Sequence, residues 1–421
     1  MEIGFSYPDV PRLKIADENL LGVFQPRELA LDSSEEELLL RALLQPIGTP
    51  SLAEMARGKK RVLIIVDDNT RLTPVHKILP YVLEELKKGG VAEEAVRILI
   101  GLGTHRFMTE EEIKQKVGEE IWKKFPVDSH DWKNPEAVEF LGSTPSGTEV
   151  WINREVLRSD LVIGLGHIVP HRVAGYSGGG KIIQPAVCGP KTTEQTHWLS
   201  ARYPGKDIMG HADNPVRREI EAVARQAGLD FIFNVVQDRK GRIVEAVCGD
   251  LVAAHRKGCE ISRQVFGLRI PEPADIVVID SYPADVEMWQ AAKGIYSADL
   301  AVKEGGVVIL ITPCPEGVAS QHPEIERFGY QPLAKVKELV DSGELKDLTV
   351  AAHLVHVGEV ICKKALGILV SSGIGRETAE KIGFRWAATP QEALEQAFRL
   401  KGKKAKVLCF KHGGEILPLV D

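Results

Sequence analysis

Residues 61–74 read RVLIIVDDNTRLTP, an apolar run that stops abruptly at a polar cluster. A short run of aliphatic and β-branched residues, closed by Asp, Asn and Thr, reads as a buried strand ending in a turn. A helical stretch follows to Lys88 and is stopped by Gly89-Gly90. The pattern then recurs. Residues 96–102 are an apolar strand leading into Gly103-Thr104-His105-Arg106, and Thr109 with Glu112 makes a capping box for the next helix. Leu161-Val162-Ile163 opens a third strand. Strands alternating with helices predict a parallel sheet, in which ligands sit beyond the carboxyl ends of the strands. The three strand ends are therefore expected to share one crevice, with Asp68, Thr70, Arg71 and His105 in it.

The third strand runs into residues 164–198, GLGHIVPHRVAGYSGGGKIIQPAVCGPKTTEQTHW. His167, His171, Lys181 and His197 gather there around Gly178, Gly179 and Gly180. Glycine lets backbone approach a ligand closely, and imidazoles with an amine beside such a turn suggest a bound cofactor under acid–base groups. Gly175-x-x-x-x-Gly180-Lys181 also fits a phosphate-binding P-loop as far as the lysine. Ile182, however, stands where Ser or Thr would hold Mg²⁺. A nucleotide-dependent enzyme is the alternative that this spacing leaves open.

Outward from this centre, residues 33–44 read as a capped amphipathic helix, and 119–148 as a polar, turn-rich stretch in which His130 stands alone. A helix at 215–227, a strand at 231–236 and a helix at 251–265 precede the linker Pro271-Glu272-Pro273. A second α/β unit begins with the strand 274–280. Its first crossover carries Gln290 and Lys293, three residues apart and so on one helix face. Strands at 306–312 and 367–371, helices at 334–340 and 390–400, and a last strand at 404–410 follow, while His353 and His356 read as core or surface residues. The expectation is two α/β domains with largely parallel sheets and an interdomain active-site cleft. Residues 1–270 would hold the cofactor, 274–401 would bring substrate-binding residues across, and the tail 402–421 would return to the first domain. Cleft closure would exclude water.

Composition narrows the partners. A formal charge of −6 over 421 residues gives no basic field for nucleic acid or an anionic membrane. No apolar run reaches membrane-spanning length and no export signal is visible at the N-terminus. Six cysteines without a C-x-x-C pair fit a reducing cytoplasm.

Four motifs occur in order: Asp67-Asp68-x-Thr70-Arg71-x-Thr73-Pro74, Gly103-Thr104-His105-Arg106-x-Met108-Thr109, His171 to Lys181 with His197, and Gln290-x-x-Lys293. Together they resemble the nickel-pincer lactate racemase family. That resemblance implies a racemase or epimerase of a 2-hydroxy acid, lactate or a related, bulkier acid. It implies that Lys181 carries the cofactor, a nickel complex of a doubly thio-substituted pyridinium mononucleotide, through a thioamide link, and that His197 ligates nickel. His105 and His171 would be the paired acid–base groups, and Arg71, Gln290 and Lys293 the substrate clamp. Asp68, Thr70 and the glycines Gly178, Gly179 and Gly180 would lie beside the cofactor. Separate maturation enzymes would build it. A non-catalytic nickel or cofactor carrier would need neither paired histidines nor a clamp. Gln184, where an aliphatic residue is expected, Trp289, where a smaller aromatic is expected, and the small Val173 depart from the family pattern. They bear on which acid is bound.

The chemistry suits these residue types. The α-hydrogen of a 2-hydroxy acid is a very weak acid because the adjacent carboxylate is already negative. A hydride route avoids the carbanion, with a base taking the hydroxyl proton. Two histidines can exchange that proton near neutral pH, and a cationic clamp keeps the 2-keto intermediate from escaping while it turns.

Overall fold

Side chains alternate sides along a strand, so a run that is apolar at every position must be covered on both faces. Val62–Asp67 does this: Ile64 and Val66 join one core with Ile98, Ile100 and Ile163, while Leu63 and Ile65 join another with Leu99 and Val162. The computed structural model describes residues 1–420 and arranges them around two six-stranded sheets. The first runs, edge to edge, Ile243–Gly249, Phe231–Gln237, Leu161–His167, Val62–Asp67, Val96–Gly101, Val127–Ser129. Only its outermost pair, Phe231–Gln237 with Ile243–Gly249, is antiparallel. The second runs Arg385–Trp386, Ala365–Val370, Val302–Ile311, Ala274–Asp280, Val407–Phe410, Leu20–Phe24, and is parallel throughout. Its faces divide likewise, Val277 and Ile279 packing on one side and Ile276 and Val278 on the other.

Strand order places the functional ends. In the first sheet the chain winds outward from Val62–Asp67 through Val96–Gly101, then returns to add Leu161–His167 on the other side. The second sheet does the same, with Val407–Phe410 added on the far side of Ala274–Asp280. Each reversal opens a crevice at the carboxyl ends of the two central strands. The two crevices meet, since Gln290, just beyond Ala274–Asp280, reaches Arg71 and His105.

The expected elements are present, with Ser34 capping Glu35–Leu44 and Thr109 capping Glu110–Val117 through the Glu112 box. Two expectations need correction. The stretch 119–148 contains a helix, Glu119–Lys124, and the strands Val127–Ser129 and Val138–Ser143. These strands are short or half-exposed, so they lack the apolar run that announced the others. The tail does not return as a whole to the first sheet. Val407–Phe410 enters the second sheet, because the helix Pro390–Lys401 completes a strand–helix–strand crossover within it. Leu417–Val420 pairs with Gly267–Ile270 in a separate two-stranded sheet. Residues near the N-terminus also belong to the second sheet, through Leu20–Phe24.

Candidate active site

The meeting crevices enclose a cavity of about 150 Å³ lined by Asp68, Arg71, His105, His171, Gly178, Lys181, His197, Gln290 and Lys293. Of the remaining expected residues, Thr70 faces an adjoining smaller cavity and donates to Asp68 Oδ1 at 2.6 Å. Gly179 and Gly180 do not line the cavity. Gly179 N–H donates to Asn234 Oδ1 at 2.8 Å, and a Cβ on Gly180 would meet Ala224 at 3.1 Å, so both glycines serve packing behind the site. Gly179 has φ +59° and lies against His255, where a side chain would be both strained and blocked.

A directed hydrogen-bond chain joins the two halves. His105 Nδ1–H donates to Asp68 Oδ2 at 2.6 Å, which leaves the lone pair of the neutral ring on Nε2. Gln290 Nε2 donates to that lone pair at 3.0 Å, and its Oε1 accepts from Arg71 Nη1 at 3.5 Å. An amide nitrogen can only donate, so the chain is consistent in one direction only. Burial opposes ionisation of Asp68, yet His105, Arg71 and Thr70 hold its carboxyl far below the usual carboxylate range. His171 has the opposite tautomer: its Nδ1 accepts from Val173 N–H at 3.2 Å, so the neutral ring carries its proton on Nε2. Burial, then Lys181, Arg71 and Lys293, keep this ring well below the usual histidine range.

Lys181 stands in the tight turn Gly179–Ile182 rather than at the start of a long helix, which begins only at Pro190. The strand–loop–helix frame of a P-loop is therefore absent, and the phosphate-loop alternative loses its structural basis. Burial, followed by the charges of Arg71, Arg217 and Lys293, depresses the Lys181 amine well below the ordinary lysine range. His197, on Pro190–Ser200, donates Nδ1–H to Thr193 O at 2.8 Å, and burial holds its pKa down to about 4. The pattern leaves a neutral amine and an imidazole Nε2 lone pair at one cavity. Among the described residues no three His, Cys, Asp or Glu side chains converge as a metal site. A metal at His197 would therefore take its other donors from a bound group.

Several contributors were missed by sequence reasoning. Lys116, buried, pairs with Asp67 at 2.7 Å and donates to the carbonyls of Asp68 and Arg71, fixing the turn that carries both residues. Arg217, fully buried, donates to the carbonyls of Ala174, Tyr176 and Gly178 and so shapes the loop leading to Lys181. His353 and His356 are buried and line the cavity. Trp289 is stacked between His322 and His353 with ring centroids 4.2 Å away on each side, a rigid wall beside Gln290. Gln184 is buried and bonded to Thr196, a structural role. Only isolated charges in helical stretches marked Lys116 and Arg217 in the sequence, and these look like solvated ones. Replacing Arg217 by methionine is expected to strand three buried carbonyls and cost about 3–5 kcal/mol. Urea unfolding of the variant beside wild type measures this, and an unchanged midpoint would refute it.

Two switch-point crevices closing on a cationic, histidine-lined cavity define an α/β enzyme whose site is shared between two units. Comparison with known proteins gives the family. Residues 9–208 match the lactate racemase N-terminal domain and residues 270–417 the lactate racemase C-terminal domain. The lactate racemase of Thermoanaerobacterium thermosaccharolyticum is 36% identical over 310 residues, 72% of each chain. That of Lactiplantibacillus plantarum is 32% identical over 413 residues, 95% of each. The structure of the lactate racemase apoprotein from T. thermosaccharolyticum superimposes with a TM-score of 0.88 at 29% identity, covering 100% of both chains. A Thermotoga maritima protein shares the fold, with a TM-score of 0.75 at 23% identity over 92% of this chain and 98% of its own. The chain belongs to the lactate racemase family, a family of isomerases.

Proposed function

We propose that the protein racemises or epimerises a small 2-hydroxy acid in the cleft, using a nickel-pincer nucleotide attached to Lys181 and ligated by His197. The observation that carries this reading is the convergence of Arg71, Gln290 and Lys293 with His105 and His171 around Lys181 and His197. The fit is chemical: a depressed, nucleophilic amine suits a covalent thioamide link, and an imidazole with a free Nε2 suits nickel. When bound, the group supplies a reversible acceptor for the α-hydrogen as hydride.

The remaining work falls to the chain. Arg71 and Lys293 hold the substrate carboxylate, and a desolvated cationic pair fixes its position strongly. His105 Nε2, oriented by Asp68, accepts the hydroxyl proton, with Gln290 giving up its bond to the same lone pair as substrate enters. His171 is the second acid–base group. Trp289 bounds the space for the substrate side chain. All six cysteines are free thiols, which supports the cytoplasm as the site of action. No described helix is long and apolar enough to cross a membrane.

Protein co-expressed with the cofactor-building enzymes is expected to interconvert the enantiomers of at least one 2-hydroxy acid, from a panel with methyl to aromatic side chains. In D₂O the α-position should stay protiated, because hydride does not exchange with solvent. Deuterium appearing there at the rate of racemisation would replace the hydride reading with simple proton abstraction. No turnover of any acid by loaded protein would favour the carrier reading.

A further inference from the structure

Glu415 belongs to the segment after Val407–Phe410 and enters the small cavity beside Thr70, Arg71, His167, His171 and Lys293. Its carboxylate has no hydrogen-bond partner among the described residues, and its Oε1 lies 3.9 Å from His167 Nε2. That nitrogen is itself buried and unpartnered. The state of His167 follows from its other side. Thr73 Oγ1 donates to Asp67 Oδ2 and so must accept from His167 Nδ1–H, at 2.7 Å. Asp67 in turn is paired with Lys116. The neutral ring therefore points a bare lone pair at a carboxylate. Two acceptors face each other across 3.9 Å, a gap that a protonated Glu415 closes with a shift of its side chain.

The same carboxylate faces the clamp. Lys293 and Arg71 approach it from the other two elements packed on this cavity, with Asp68 behind Lys293, Tyr282 near by and His412 on its own segment. Burial and Arg71 depress the Lys293 amine well below the usual lysine range, and Glu415 with Asp68 are the carboxylates that favour its charged form. A substrate carboxylate seated on Arg71 and Lys293 adds a second negative charge at close range in a poorly solvated space, which favours protonation of one acid.

We propose that Glu415 is the proton-linked counter-charge of the substrate clamp. It balances the charge of Lys293 in the empty site and, as the substrate carboxylate displaces it, takes one proton from solvent, keeps it, and hydrogen-bonds through it to His167 Nε2. The proposal rests on the clamp assignment made above. In charge terms, the Lys293–Glu415 pair goes from net neutral to net positive as the monoanion arrives, so the cavity gains no net charge. Burial already pushes the Glu415 carboxyl up to about 7, against the pull of Lys293 and Arg71, so the uptake falls near neutrality.

Calorimetry of pyruvate binding to cofactor-loaded protein at about pH 8, in two buffers of different ionisation heat, counts the protons. Wild type is expected to take up close to one proton per pyruvate, with Kd rising about tenfold per pH unit above neutrality. Glu415→Gln is expected to take up almost none and to lose that slope. No uptake by wild type, or equal uptake by the variant, overturns the proposal. An infrared difference titration of ligand-free wild type against Glu415→Gln gives a check that needs no substrate. A carboxyl band titrating near neutrality supports the assignment, and one in the ordinary carboxylate range overturns it. Failure of pyruvate and of the 2-keto acids with larger side chains to bind, with the band still near neutrality, would strike the 2-hydroxy acid reading while upholding the titration of Glu415.

Discussion

Protein carrying Lys181→Ala, co-expressed with the cofactor-building enzymes, is expected to contain no covalent adduct and no nickel above background, and to turn over more than about 10⁴-fold slower than wild type. The reasons are in the geometry. Among the described residues no three His, Cys, Asp or Glu side chains converge as a metal site, so with His197 as the proposed ligand the group's retention would depend on the covalent link. The chain itself has no hydride acceptor, and without one the acid–base residues can only shuttle the hydroxyl proton. Lys181→Arg is a useful companion: it keeps a long basic side chain but forms no thioamide, and it should be as empty as the alanine variant. Intact mass and nickel content check both, and neither depends on guessing the substrate. An adduct persisting in both variants would place the attachment elsewhere, and full nickel with full turnover in Lys181→Ala would end the pincer reading.

The second large effect is expected at Asp68. Asp68→Asn leaves the volume unchanged but removes the carboxylate that accepts His105 Nδ1–H at 2.6 Å. The imidazole then loses both its fixed tautomer and the stabilisation of its protonated form, which should lower kcat/KM by about 10²–10⁴-fold. One constraint makes the measurement sharper. Mirror-image substrates have an equilibrium constant of one, so the loss in kcat/KM must be identical in the two directions, while kcat and KM can divide it differently. Nitrogen NMR of the His105 ring gives an independent readout: wild type should show a protonated Nδ1 and bare Nε2, and the variant a mixture. A variant with normal rates, or with an unaltered tautomer, would remove Asp68 from the acid–base machinery.

The two-unit α/β architecture was legible because its central strands are apolar at every position, and a double-sided core leaves that mark. Asp68, Arg71 and His105 stood out because each follows such a strand at a turn, and Lys181 because it closes a glycine run among histidines. His353 and His356 were not, since an apolar helix gives no sign of which side meets a cavity rather than a core. Glu415 was hidden for a different reason. It lies beyond the last core strand in a loop with no periodicity, and only the crossover of Val407–Phe410 brings it to the clamp. Gly179 and Gly180 misled in the opposite sense, because a glycine run looks the same whether it makes room for a ligand or for a helix.

The pairing of Leu20–Phe24 with Val407–Phe410 also sets an order of assembly. The first of these strands leaves the ribosome early and the second late, with every strand of the first sheet emerging between them. The nascent second sheet must therefore wait, with Leu20–Phe24 and Ala274–Asp280 holding open hydrogen-bonding edges that could recruit other chains. A polypeptide cut short of Val407 would keep both edges open. It would also lack Glu415, so a fragment that escaped aggregation would lose the carboxylate that lines the small cavity beside Arg71 and Lys293.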